Sequence, residues 1–252
     1  MTISEPIQTL FAVPMECEAC VKSVSESIYK LGGITKVDAN LKDQQVLVEG
    51  TAAPSAIVSA IQATGRDAIL RGSGASDSAA VCILESFETK LATEPVPEDG
   101  VRREVRGLAR MVQGSSSALV IDLTIHGVEP GCYRATIREY GDLAAGVSST
   151  GPVWGSKENP DAPRGFISTV TVDKTGKGAV YVDKPIQVWE LIGHSMVLTR
   201  QSEEKTLEND ANTVVGVIAR SAGMWDNDKM VCSCTGKTLW EERKDEVQKG
   251  ML

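Results

Sequence analysis

The sequence predicts a multidomain protein: a small α+β domain, an all-β antiparallel sandwich or barrel, and a short, mostly irregular tail. Three observations carry this. Residues 7–72 run twice through a strand, helix and strand pattern. From Ala79 onward the helical period disappears, and eight short strand-like runs alternate with glycine-rich turns. After Arg220 the chain becomes polar and loop-like. The expected divisions are 1–72, a linker at 73–78, 79–220 and 221–252.

The first domain opens with the strand-like stretch Ile7–Val13. Val21, Val24, Ile28 and Leu31 then recur at helical spacing and give one apolar face, which Gly32-Gly33 ends. Ile34–Ala39 and Gln45–Glu49 read as short strands around a turn at Leu41–Gln44. Pro54 opens a second helix carrying Ile57, Val58 and Ile61, and Gly65 closes it. Ala68–Leu70 is the last strand. A βαβ unit followed by a second is the split, ferredoxin-like arrangement.

Cys17 and Cys20 lie in the first strand-to-helix loop, within Met15-Glu16-Cys17-Glu18-Ala19-Cys20. A helix N-terminus favours thiolates, and soft thiolates select Cu(I) or Zn(II) over hard cations. A structural zinc site needs four ligands, and no histidine or third cysteine stands nearby, so two-coordinate Cu(I) suits the pair. Taken alone, a CxxC divides evenly between metal binding and a redox dithiol. Its setting favours metal: an MxCxxC motif on this loop of a βαββαβ domain resembles the heavy-metal-associated domains of copper chaperones and copper pumps. That resemblance covers the first domain, and implies Cu(I) on Cys17 and Cys20 with Met15 packed beneath them.

Composition sets the outer bounds. The 252 residues have a net charge of −8 and no block of Lys and Arg, which argues against a nucleic-acid partner. Val214–Ala219 is the longest clean apolar run, far too short for a membrane span. The start lacks a secretory pattern, so the expected compartment is the reducing cytosol, where six cysteines need a purpose other than a disulfide framework.

The strand-like runs of the second region are Ala79–Glu85, Glu104–Val112, Ala118–Ile125, Tyr133–Glu139, Ser168–Val172, Ala179–Val182, Met196–Arg200 and Val214–Ala219. Leu91–Gly100 and Gly151–Gly165 read as long loops. The segments Arg106–Arg110, Glu139-Tyr140-Gly141-Asp142, Ser149-Thr150-Gly151-Pro152, Leu191-Ile192-Gly193 and Gly216-Val217-Ile218 resemble Cu/Zn superoxide dismutase, which implies a Greek-key sandwich or barrel. The enzyme's metal chemistry is missing. Its site needs several imidazoles, and the whole chain has two histidines, His126 and His194. Matching the segments puts Thr136, Arg138, Val153 and Thr199 at ligand positions, and Val147 and Val215 where the enzyme has its disulfide. The resemblance also places a subunit-pairing surface at Gly146–Ser148, Ile192–Ser195 and Gly216–Arg220, with Ile218 in its apolar part.

The remaining cysteines divide. Cys82 sits in an apolar strand and Cys132 in a Gly-bounded loop; both read as structural, with a mutual link left open. In the tail, Cys232-Ser233-Cys234 places two sulfurs on one face of an extended segment, able to share an ion or close a strained disulfide. Thr238 and Glu241 have the spacing of a capping box for a short charged helix, Leu239–Lys249.

With the tail included, nearly the whole chain resembles the copper chaperones for Cu/Zn superoxide dismutase, of the fungal type. The resemblance implies a non-enzyme that carries Cu(I) and pairs with a dismutase subunit as a heterodimer, forming a homodimer when alone. Cys232 and Cys234 would bind copper, act on the client's disulfide, or both. The compartment would be cytoplasmic, with the mitochondrial intermembrane space kept open as a second. A soluble copper buffer or thiol oxidoreductase without a dedicated client is the alternative.

Overall fold

A computed structural model describes residues 6–88, 102–114, 118–202, 206–223 and 236–248. The chain begins with β1 (Ile7–Ala12), α1 (Glu18–Tyr29), β2 (Ile34–Asn40), β3 (Gln45–Gly50), α2 (Pro54–Gln62) and β4 (Ile69–Ser73). Its four strands pair antiparallel in the order β2-β3-β1-β4, the expected split arrangement. The apolar spacing of the helices explains the packing: Val24 and Ile28 of α1 and Ile57 and Ile61 of α2 are buried against Phe11 and Val48 of the sheet. Leu31 lies past α1 and is 39% exposed, so the helix face ends one turn earlier than its periodicity predicts.

β4 continues to Ser73, three residues beyond the expected strand. Residues 74–78 then form a hydrogen-bonded turn in place of the loose connector expected there. Gly74 and Asp77 both adopt positive φ, the Gly74 amide donates to the Gln8 carbonyl, and the Ser78 hydroxyl to that of Ala75.

The second region holds β5 (Ala79–Glu88), β6 (Arg102–Gln113), β7 (Leu119–His126), β8 (Gly131–Arg138), β9 (Phe166–Val172), β10 (Lys177–Lys184), a short α3 (Val188–Leu191), β11 (Ser195–Thr199), β12 (Val214–Val217) and β13 (Ala219–Arg220). Strand order is β12-β11-β8-β9-β10-β7-β6-β5, and pairing of β12 with β5 closes an eight-stranded antiparallel barrel. β8, β9 and β10 form a meander whose last strand returns beside β7, the Greek-key connection. Closure requires Gly216, where a Cβ would lie 1.9 Å from the Ile83 carbonyl oxygen. Inward residues of alternating strands, among them Leu84, Met111, Leu123, Tyr133, Ile137 and Leu198, fill the barrel.

Two expectations change at this level. Cys132 is on β8, not in a loop, and it is exposed, while Cys82 is fully buried on β5; both are free thiols. Ile218, expected in the apolar part of the pairing surface, turns into the barrel core at 1% exposure. Its backbone bonds to Gly193 and His194 separate β12 from β13 and fix that inward orientation. The tail helix, α4 (Leu239–Gln248), carries the expected capping box: the Thr238 amide donates to Glu241 Oε2 and the Glu241 amide to Thr238 Oγ1. Leu91–Gly100, Cys232 and Cys234 lie outside the described residues.

Candidate metal centre

Cys17 is the N-cap residue of α1, in extended conformation at φ −156°, and Cys20 occupies the first turn. The Cys20 and Val21 amides donate to the Cys17 carbonyl, which folds the loop so that the two sulfurs meet at 3.3 Å. That is hydrogen-bond distance for thiols and far beyond an S–S bond of about 2.05 Å. Cys17 is exposed and Cys20 half-buried. Met15, at 2% exposure, is a core side chain that seats the loop from below, and Gln44 Nε2 donates to its carbonyl.

Electrostatics favours the Cys20 thiolate. Hydrogen bonds from the Glu16 backbone, the Cys17 side chain and Arg66 lower its pKa from 9.0 to about 6. Arg66 comes from the α2–β4 connection and is held by bonds from Nη1 to the Thr64 carbonyl and hydroxyl. Sequence reading missed this residue. The signal was available: in a split βαβ topology the β1–α1 and α2–β4 connections share one end of the domain, so a cation after Gly65 can reach the thiols. Among the described residues no group of three or more His, Cys, Asp and Glu is placed to hold a metal ion. The pair therefore offers two soft ligands and one neighbouring cation, which suits a soft ion that can leave by ligand exchange.

On the barrel, the positions matched to dismutase ligands are gathered but chemically altered. Thr136 and Arg138 project from the outer side of β8, with Thr199 on neighbouring β11. Arg138 is buried and donates from Nε and Nη2 to the Gly151 carbonyl, while Val153 forms a bridge to its backbone. Thr199 shares a hydroxyl bond with Thr213 at 2.9 Å. Val147 and Val215 meet in one apolar cluster with Val197, Phe87 and Leu207. His194 uses Nδ1 on the Arg138 carbonyl and stacks near Trp154, a structural role. His126 ends β7, and burial beside Arg106 and Lys177 lowers its pKa.

The three expected surface segments do come together. The 3-10 turn Gly146–Ser149 contacts β12, Gly193 bonds to Ile218, and β11 pairs with β12. Val217 at 37%, Ile83 at 47% and Tyr140 at 52% exposure give this face apolar character. A Cβ on Gly141, beside Tyr140, would meet both the Gly193 carbonyl and Val217, so the backbones approach closely at the centre of the face. Arg220 is at its edge, exposed and paired with Asp77 at 2.9 Å.

A thiol-pair loop on a ferredoxin-like domain, carried by a barrel without its ligand histidines, defines a metal carrier of the metallochaperone class. The model of the heavy-metal-associated domain matches residues 9–67. Over 99% of its length the chain is 41% identical to the superoxide dismutase 1 copper chaperone of Debaryomyces hansenii, covering 99% of that protein. It is 39% identical to the protein of that name from Saccharomyces cerevisiae, over 97% of both chains. Identity to the human copper chaperone for superoxide dismutase is 32%, over 92% of this chain and 88% of that one. The chain belongs to the family of copper chaperones for superoxide dismutase, proteins named as chaperones and not as enzymes.

Proposed function

We propose that this chain takes up Cu(I) on Cys17 and Cys20, docks on Cu/Zn superoxide dismutase as a heterodimer, and passes the metal on through its tail. The observation that carries the proposal is the presence, on one chain of this family, of a converged thiol pair and an exposed apolar barrel face. A fold that can pair through one face can accept a related subunit on that face, and without a client it pairs with itself.

Copper moves by exchange. An incoming thiol loses its proton and forms a Cu–S bond as a departing Cu–S bond breaks and that sulfur takes a proton. A Cys20 sulfur already deprotonated near neutral pH needs no base to bind the ion. Cys232 and Cys234 are the proposed delivery pair. As a disulfide the same pair can oxidise the client's two thiols to its intrasubunit disulfide and become two thiols itself. The proposed compartments are the cytoplasm and the mitochondrial intermembrane space, both places where such a client could be met.

The test mixes copper-loaded Cys232→Ser/Cys234→Ser protein with reduced, copper-free client in air, following client activity and disulfide state. Docking is expected to persist and maturation to stop. Normal maturation would move the delivery role to Cys17 and Cys20. A plain copper buffer would recover no dismutase subunit in a reducing pull-down.

A further inference from the structure

Between the first domain, the barrel and the C-terminal helix lies a cavity of about 270 Å³. Its walls come from β4, from β5 and β6, and from Ser221 and Arg243. Three arginines line it, Arg71, Arg110 and Arg243, and no acidic residue does among the described residues. In a chain of net charge −8 that concentration of one sign is unusual.

Two of these cations, Arg243 and Arg110, are held from behind by carboxylates. Arg243 on α4 places Nε and Nη2 on the two oxygens of Asp67 at 2.9 and 3.0 Å, a fork that leaves its other donors uncommitted to that carboxylate. The Arg110 side chain is 19% exposed, and its contact to Asp122 Oδ2 is 3.7 Å, an ion pair too long for a hydrogen bond. Asp122 spends its oxygens on the Ser55 amide and hydroxyl at 2.8 and 2.7 Å. Five guanidinium donors on Arg110 are thus held near a partner without being satisfied by it. Burial disfavours its charged form most, the Asp122 charge offsets part of that, and the nearby Arg243 charge adds a smaller push in the same direction as burial. A second observation is independent of charge: Ser73, 4% exposed, lines the same cavity, and its Oγ has no hydrogen-bond partner.

Convergent guanidiniums and an orphaned buried hydroxyl are a donor set without an acceptor. We propose that this junction binds a small tetrahedral oxyanion of the phosphate class. The anion accepts from Arg110, Arg243 and Ser73 and offsets the repulsion between the two guanidiniums. Because its ligands come from three parts of the chain, binding fastens the first domain and α4 to the barrel. The site involves no copper and no client, so it stands or falls apart from the function proposed above.

The probe is inorganic phosphate, titrated into the full chain in phosphate-free buffer at constant ionic strength, followed by phosphorus NMR line broadening and by Tm. Glycerol 3-phosphate in a parallel arm distinguishes the free ion from a phosphate carried on a larger molecule. Saturable binding with a rise in Tm is expected. Arg243→Gln leaves Asp67 half-exposed and should still fold; its affinity should fall about tenfold, as for loss of one charge-assisted bond. Ser73→Ala supplies a second fold-safe variant, with affinity reduced a few-fold, about what a neutral bond contributes. No saturable binding, or undiminished affinity in Arg243→Gln, overturns the proposal.

Discussion

Cys20 is the most prepared residue in the molecule. Its folded pKa of about 6, against 9.0 ordinarily, means that its thiolate stabilises the fold fully above about 9 and loses that contribution as pH falls through 6. Alkylation of Cys20 should accordingly show a midpoint near 6, and Arg66→Ala should move the midpoint upward because one sulfur hydrogen bond is lost. An unchanged midpoint in that variant would remove Arg66 from the surroundings of the thiol pair. Cys82 marks the contrast: burial in the barrel pushes its thiol up to about 12, so iodoacetamide at neutral pH should leave it unmodified in the folded protein. Thr136 offers a stability test. Its Oγ1 is buried without a partner, and Thr136→Val keeps the shape while deleting that group. The variant should be more stable by about 1 kcal/mol in denaturant titration, the lower range of the penalty for an unsatisfied buried hydroxyl.

Among the elements, the break between β12 and β13 separates two neighbouring side chains by function. Val217 is exposed on the apolar face and Ile218 is in the core. Val217→Glu should therefore fold with wild-type cooperativity and fail to pair with the dismutase subunit. Ile218→Glu would bury a carboxylate in the barrel and cost on the order of 4 kcal/mol or more. Circular dichroism melts, with size-exclusion chromatography of the mixture, distinguish the two. Equal melts would mean that the strand is not oriented as described; normal pairing by Val217→Glu would move the docking face elsewhere. Residues 74–78 show the same dependence on local geometry. A run of Gly, Ser and Asp looks flexible as composition, yet its amides and hydroxyls close a turn that leads β4 directly into β5.

At the scale of the whole molecule, the first domain is seated on the barrel by a buried carboxylate. Asp122 of β7 caps the start of α2 through Ser55, while Tyr181 and Ile7 join a small apolar cluster across the same boundary. By strand direction the start of α2 lies at the end of the domain opposite the Cys17–Cys20 loop, so the joint leaves the thiols open. Asp122→Ala removes both the cap and the partner of half-buried Arg110, a loss of roughly 3–5 kcal/mol. Calorimetry should show the first domain melting separately and earlier in this variant. An unaltered profile would mean that the joint contributes nothing to domain coupling. Cu(I) uptake by the first domain should be the same in both proteins.

Much of this was legible in the residues themselves. Helical spacing located Val24, Ile28, Ile57 and Ile61, because a 3.6-residue period has only one way to bury its apolar stripe. Alternation and glycine-rich turns located the eight barrel strands to within about three residues, the usual uncertainty of element ends. That Cys17 and Cys20 would meet followed from their spacing on the loop, and their sulfurs lie 3.3 Å apart. What tertiary structure alone decided were contacts between residues distant in sequence. Arg66 reaches Cys20 because two connections share one end of a sheet; Asp122 finds Ser55 because one domain packs on another. Ile218 turns inward because a bond to His194 interrupts the strand, and three arginines meet an unpartnered serine where three segments join. Periodicity reports which face of an element is buried, but it carries no information about which other element covers that face.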